Sequence, residues 1–162
     1  MITKEAGDVQ SRCDNLGGPP NERSQSAKAQ PLDHQFRERP CVLVVDDEPL
    51  VRAILQLGLE RDNFDVWLAS NGRDAIEVYE KRCDKIAVVL LDVGMPGLDG
   101  LQTLDALRKL NPKVLVCFMT GGTRANEQEE LRQRGAAYVI AKPFRLDQVI
   151  NALQRLVYGA HS

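Results

Sequence analysis

No run of apolar residues in this 162-residue sequence approaches the roughly 18 that a membrane-spanning helix requires. The first ten residues, MITKEAGDVQ, put charges where a secretion signal needs an apolar stretch. Both absences predict a cytoplasmic chain without membrane contact. A basic excess is also missing: 21 Lys and Arg stand against 23 Asp and Glu, for a net charge of -2, so direct binding to nucleic acid is not expected. The four cysteines, Cys13, Cys41, Cys83 and Cys117, form no CxxC pair. Neither a zinc cluster nor a redox motif is indicated, and reduced thiols are expected, two of them inside apolar strands. The nucleotide-binding patterns GxGxxG and GxxxxGK followed by Ser or Thr are both absent, and Gly121-Gly122 alone makes a poor phosphate loop. No internal repeat is visible.

What is present begins at Pro40. Before it, residues 1–39 carry only scattered large apolar side chains (Met1, Ile2, Val9, Leu16, Leu32, Phe36) around Gly17-Gly18-Pro19-Pro20. Such a segment buries too little surface to offset its ordering entropy, and a disordered arm is expected there. Residues 40–159 form the expected domain, with strand and helix patterns alternating to the end.

The stretch around which this domain is organised spans 86–100. IAVVLL is too continuous for a half-exposed strand and reads as one buried on both faces, followed directly by Asp92. Gly94, Pro96, Gly97 and Gly100 then favour a turn, with a helix starting near Asp99. Earlier, CVLVV (41–45) is a buried strand, and Pro49 suits the first turn of a helix whose inner stripe is Val51, Ile54, Leu55 and Gly58. FDVWLAS (64–70) alternates like a strand with one wetter face and leads into a helix carrying Ala75, Ile76 and Tyr79. Leu101, Leu104 and Leu107 mark the third helix, and VLVCFM (114–119) the fourth strand. A polar helix near 124–134 has Ala125 and Leu131 as its main apolar contacts and Gly135 to stop it; it is expected to be the least firmly docked. AAYVIA (136–141) is the fifth strand, and Leu146, Val149, Ile150, Leu153, Leu156 and Val157 give the last helix its amphipathic face. Five strands alternating with five helices predict an α/β fold with right-handed crossovers and a parallel sheet covered on both sides.

Ligands of such sheets bind beyond the carboxyl ends of the strands. There the sequence delivers Asp46-Asp47 after the first strand, Asp92 after the third, Thr120 after the fourth and Lys142 after the fifth. Each has an ordinary reading on its own: Asp92 as a turn cap, Asp46-Asp47-Glu48 as helix-start acids, Thr120 as a turn residue and Lys142 as a surface charge. Four coincidences at one edge are a weaker account than a shared purpose. Clustered carboxylates need a positive partner, which Lys142 and a divalent cation such as Mg²⁺ would supply. A phosphoryl group fits what remains, with Asp92 as acceptor, Asp46 and Asp47 as metal ligands and Thr120 as hydrogen-bond donor.

VVDDEP, LLDVGMPGLDG, the Thr after VLVCFM, and AKPF occur in order, and residues 40–158 resemble the receiver domain of two-component response regulators. The resemblance implies a flavodoxin-like, doubly wound five-stranded sheet of order 2-1-3-4-5. It also implies that Asp92 is phosphorylated by a histidine kinase or phosphotransfer protein. Asp46 and Asp47, with Asp92 and the backbone carbonyl of Gly94, would hold Mg²⁺; Thr120 would follow the phosphoryl group and Lys142 would pair with one of its oxygens. The product would be a signalling switch rather than an enzyme. Its output would run through the 124–158 face to a protein target, with Asp147, Asn151, Gln154, Arg155 and Tyr158 exposed, a face compatible with a dimer formed on phosphorylation. Two departures stand out. Val139 occupies a position that is usually aromatic, with Tyr138 expected on the opposite side of the strand, and both positions 94 and 122, two after Asp92 and Thr120, are glycine. With no output domain after the last helix, the pattern resembles stand-alone regulators. The rival reading is a Mg²⁺-dependent phosphohydrolase with Asp92 as nucleophile, against which Gly94 removes the usual acid/base carboxylate.

Overall fold

The computed structural model describes residues 38–122 and 125–159. The expected arm therefore lies outside the described residues except for Glu38 and Arg39. Five parallel strands, β1 (Cys41–Val45), β2 (Asp65–Ala69), β3 (Ile86–Asp92), β4 (Val116–Thr120) and β5 (Tyr138–Ala141), are ordered β2-β1-β3-β4-β5, as expected. The helices between and after them are α1 (Pro49–Arg61), α2 (Gly72–Arg82), α3 (Gly100–Leu110), α4 (Ala125–Gln133) and α5 (Leu146–Tyr158). Asp99 caps α3 in a reciprocal capping box with Gln102, and Asn71 caps α2 by accepting from the Asp74 N–H.

Side chains alternate across a strand, so the apolar runs of β1, β3 and β4 feed two cores. Leu43, Val45, Val89, Leu91, Val116, Phe118 and Val139 meet Ala75, Tyr79, Leu104, Leu107 and Leu131, on the face covered by α2, α3 and α4. Val42, Val44, Val88, Leu90, Cys117, Met119 and Ile140 meet Leu55, Leu59, Val149, Ala152 and Leu153 of α1 and α5 on the other. This is why those runs read as continuous rather than alternating. A fully buried side chain of Leu size contributes about 2 kcal/mol. By that measure α5, with Val149, Ala152 and Leu153 buried, is held more firmly than α4, whose apolar anchor among the described side chains is Leu131. Gly135 ends α4 at φ 92°, a left-handed conformation suited to glycine.

Several expectations are corrected. Ile54 is 50% exposed, together with Leu50 and Leu57, while Leu59 takes an inner position; α1 is apolar on most sides, so periodicity alone did not select its buried face. Trp67 and Leu68 are both partly exposed because β2 is an edge strand, and the Arg82 guanidinium lies 3.7 Å over the Trp67 ring. Gln154 is half-buried rather than exposed. Cys41 and Cys117 are free and buried, with burial pushing their thiols up to about 11 and about 12. Cys83, however, is disulfide-bonded, since spacing along a chain does not report which thiols the fold brings together.

Gly100 lets α3 start close behind the end of β3. A Cβ there would lie 2.8 Å from both the Asp92 carbonyl oxygen and the Val93 Cα, and 3.3 Å from the Phe118 ring. The obstruction is mainly backbone, which yields poorly. Gly100→Ala is expected to destabilise the domain by about 2 kcal/mol, measured as a Tm lower by about 8 °C. An unchanged Tm would show that this approach is not tight.

Candidate functional site

Strand register brings the polar residues to one rim. Val45 pairs with Leu91, which sets Asp46 level with Asp92; Asp92 pairs with Met119, and Thr120 pairs with Ala141, one residue before Lys142. Asp46, Asp92 and Lys142 share the parity of Val44, Leu90 and Ile140, the face of α1 and α5. Thr120 shares the parity of Val116 and Phe118, the face of α4.

Asp46 is fully buried. Its Oδ1 accepts from the Glu48 N–H at 2.9 Å and its Oδ2 from Lys142 Nζ at 3.0 Å, while Arg52 Nη1 donates to its backbone carbonyl at 2.7 Å. Asp92 is 5% exposed; its Oδ1 is 3.3 Å from Lys142 Nζ and accepts from the Gly94 N–H at 3.3 Å. Asp47 is exposed, yet Asp46, Asp47 and Asp92 each offer a carboxylate oxygen within 4.8 Å of the others. Thr120 is buried; Gly122 N–H donates to its Oγ1 at 3.0 Å, and Lys142 N–H to its carbonyl at 2.7 Å. The Lys142–Pro143 peptide is cis.

Burial pushes the Asp92 carboxyl above its ordinary value, and the nearby Asp46 charge adds to this; the Lys142 charge and the Gly94 N–H pull it down without cancelling the rise. For Lys142, burial works against the ammonium, but the hydrogen bond to Asp46 and the charges of Asp92 and Asp46 outweigh it, so its pKa is raised. The rim thus holds one lysine among three carboxylates. Oxygen donors in that number, already oriented by backbone N–H groups, fit a hard divalent cation such as Mg²⁺.

Of the side chains singled out at the strand ends, those of Asp46, Asp47, Asp92 and Lys142 lie together here, while Thr120 stands at the same rim with its hydroxyl oxygen accepting from the Gly122 N–H. Asp92 and Thr120 are the last residues of their strands rather than the first beyond them. Position 139 is Val, buried in the core with Leu131, and Tyr138 is 42% exposed on the opposite side, as alternation predicts. Two residues had escaped the sequence reading. Arg52 sits in the first turn of α1 and steadies the Asp46 backbone by donating to its carbonyl. Glu127 reaches back from α4 to lie against Gly122, five residues earlier, a contact that depends on how the intervening turn places the helix.

A family model described as the response regulator receiver domain matches residues 42–154. The chain belongs to that family. The receiver domain is 33% identical over 121 residues to the transcriptional regulatory protein SrrA of Staphylococcus aureus, covering 75% of this chain and 49% of SrrA. It thus spans about half the length of the curated relatives it matches. Among solved structures, a response regulator receiver domain protein from Clostridium thermocellum superposes with a TM-score of 0.69 at 26% identity, over 73% of this chain and 94% of that one. Response regulator protein TrrA from Thermotoga maritima, solved with Mg²⁺ and BeF, gives 0.63 at 27% identity, over 72% and 97%. The similar proteins give no support to the phosphohydrolase alternative. Among the described residues no helix is long and apolar enough to cross a membrane.

Proposed function

We propose that this receiver domain accepts a phosphoryl group on Asp92 from the phosphohistidine of a histidine kinase or phosphotransfer protein. The observation that carries the reading is the meeting of Asp46, Asp47, Asp92 and Lys142 at one rim. An Asp92 carboxylate oxygen attacks phosphorus as the phosphorus–nitrogen bond of the donor breaks, and the electron pair stays on the imidazole. Lys142, within reach of Asp92, pairs with a phosphoryl oxygen once the transfer is made. Thr120 donates its hydroxyl proton to another. Asp46, Asp47 and Asp92, with the Gly94 carbonyl, would hold Mg²⁺, which when bound neutralises charge on the transferring group. TrrA, a similar protein solved with Mg²⁺ and BeF, supports the presence of a Mg²⁺ site by similarity.

The domain works as a switch in the cytoplasm and turns over no substrate beyond its own phosphoryl group. Its output passes by protein contact, without direct nucleic-acid binding, through α4, β5 and α5, where Tyr138, Asp147, Asn151, Arg155 and Tyr158 are exposed. A dimer formed on phosphorylation would use the same face. With Val buried at 139, the signal travels by motion of the Thr120 loop and of weakly anchored α4 rather than by an aromatic swing. Beryllofluoride with Mg²⁺, a stable phosphoryl analogue, is expected to bind one per chain and to alter amide hydrogen exchange across 125–158. Binding without any exchange change in that region would refute the assigned output face.

A further inference from the structure

We infer that Glu127 is a positioning residue of the phosphoacceptor site, whose carboxylate stands beside the Thr120 hydroxyl and weakens phosphoryl binding by charge repulsion. The inference rests on the function proposed above. It starts from Gly122. A Cβ at that position would collide with the Glu127 carboxylate and lie 3.2 Å from Thr120 Oγ1. The carboxylate therefore occupies the space a side chain at 122 would fill, immediately beside the switch hydroxyl. Glycine at 122 is what admits it.

A hydroxyl has one proton to donate. Thr120 Oγ1 already accepts from the Gly122 N–H at 3.0 Å and makes no hydrogen bond to Glu127, so its proton is free for a phosphoryl oxygen while the carboxylate charge stands close beside it. Glu127 makes no hydrogen bond or ion pair with any described residue, so nothing among them neutralises its charge. A phosphoryl group on Asp92 brings about two negative charges to the same rim. The two anions repel each other. The far end of α4 is fixed, because Arg108 Nη1 and Nη2 donate to the carbonyls of Arg134 and Gly135 at 2.5 and 2.9 Å. Repulsion at Glu127 accordingly moves the amino-terminal turn of α4, the end next to Thr120.

The test is calorimetric titration of the full chain with beryllofluoride in excess Mg²⁺. Glu127→Gln is expected to bind roughly fivefold more tightly than wild type at low salt, and the gap should narrow as ionic strength rises. Gly122→Ala, which keeps the charge but displaces it, should shift affinity the same way. The double variant should gain no more than the larger single change, because both remove one interaction. Unchanged or weaker binding by Glu127→Gln, a salt-independent gap, or additive effects in the double variant would overturn the inference while leaving Asp92 as acceptor. Failure of the wild type to bind beryllofluoride at all would instead overturn both.

Discussion

Asp92→Asn is expected to abolish phosphoryl acceptance outright, with no adduct after incubation with acetyl phosphate and Mg²⁺ under conditions that label the wild type fully. An amide has the carboxylate's shape but offers no anionic oxygen to attack phosphorus and cannot form the acyl phosphate. The fold should survive. Asp92 is nearly buried, its carboxyl is pushed above the ordinary range first by that burial and then by Asp46, and a neutral side chain relieves both. The metal-free variant is therefore expected to melt no lower than metal-free wild type, which separates lost chemistry from lost structure. An adduct of unchanged yield in Asp92→Asn would move the acceptor elsewhere.

Lys142→Ala is expected to give the largest loss of stability. Lys142 Nζ lies 3.0 Å from Asp46 Oδ2 and 3.3 Å from Asp92 Oδ1, and Asp46 is fully buried. Removing the cation leaves two neighbouring carboxylates out of water with a backbone N–H each but no compensating charge. Loss of one partner of a buried pair costs about 3 to 5 kcal/mol; because the Lys142 side chain keeps some solvent contact, the lower figure of about 3 kcal/mol is expected for metal-free protein. Mg²⁺ should restore part of it by supplying positive charge at the same rim. The pH dependence is set by the sign of the shift. The pKa of Lys142 is raised in the fold above its ordinary 10.5, so its contribution is fully present below that value and fades as pH rises through the folded pKa. The stability gap between wild type and Lys142→Ala should therefore persist at neutral pH and close in strongly alkaline solution, as the ammonium loses its proton. Functionally the variant should still take up phosphate, slowly, but fail to signal; normal output from it would contradict the role given to Lys142.

These effects trace back to residues that were mostly legible in the sequence. Buried parallel strands announce themselves as short apolar runs, and the polar residue at the end of each run must lie at the sheet's carboxyl edge; hence Asp46, Asp92, Thr120 and Lys142 could be grouped before any coordinates. Strand alternation likewise separated Tyr138 from Val139. The misses share a different cause. The buried side of α1 depends on which of several apolar faces meets the sheet, so Ile54 and Leu59 exchanged roles. The state of Cys83 and the contact of Glu127 with Gly122, five residues earlier, depend on folded geometry that spacing does not record. Arg52 acts on a backbone carbonyl, which no side-chain motif records.

The central claim is tested most directly by intact mass and peptide mapping of the wild-type chain after acetyl phosphate treatment, with Mg²⁺ and with a chelator. One phosphoryl adduct, dependent on Mg²⁺ and mapped to Asp92, is predicted. An adduct on another residue, equal labelling in chelator, or no adduct at all would contradict it.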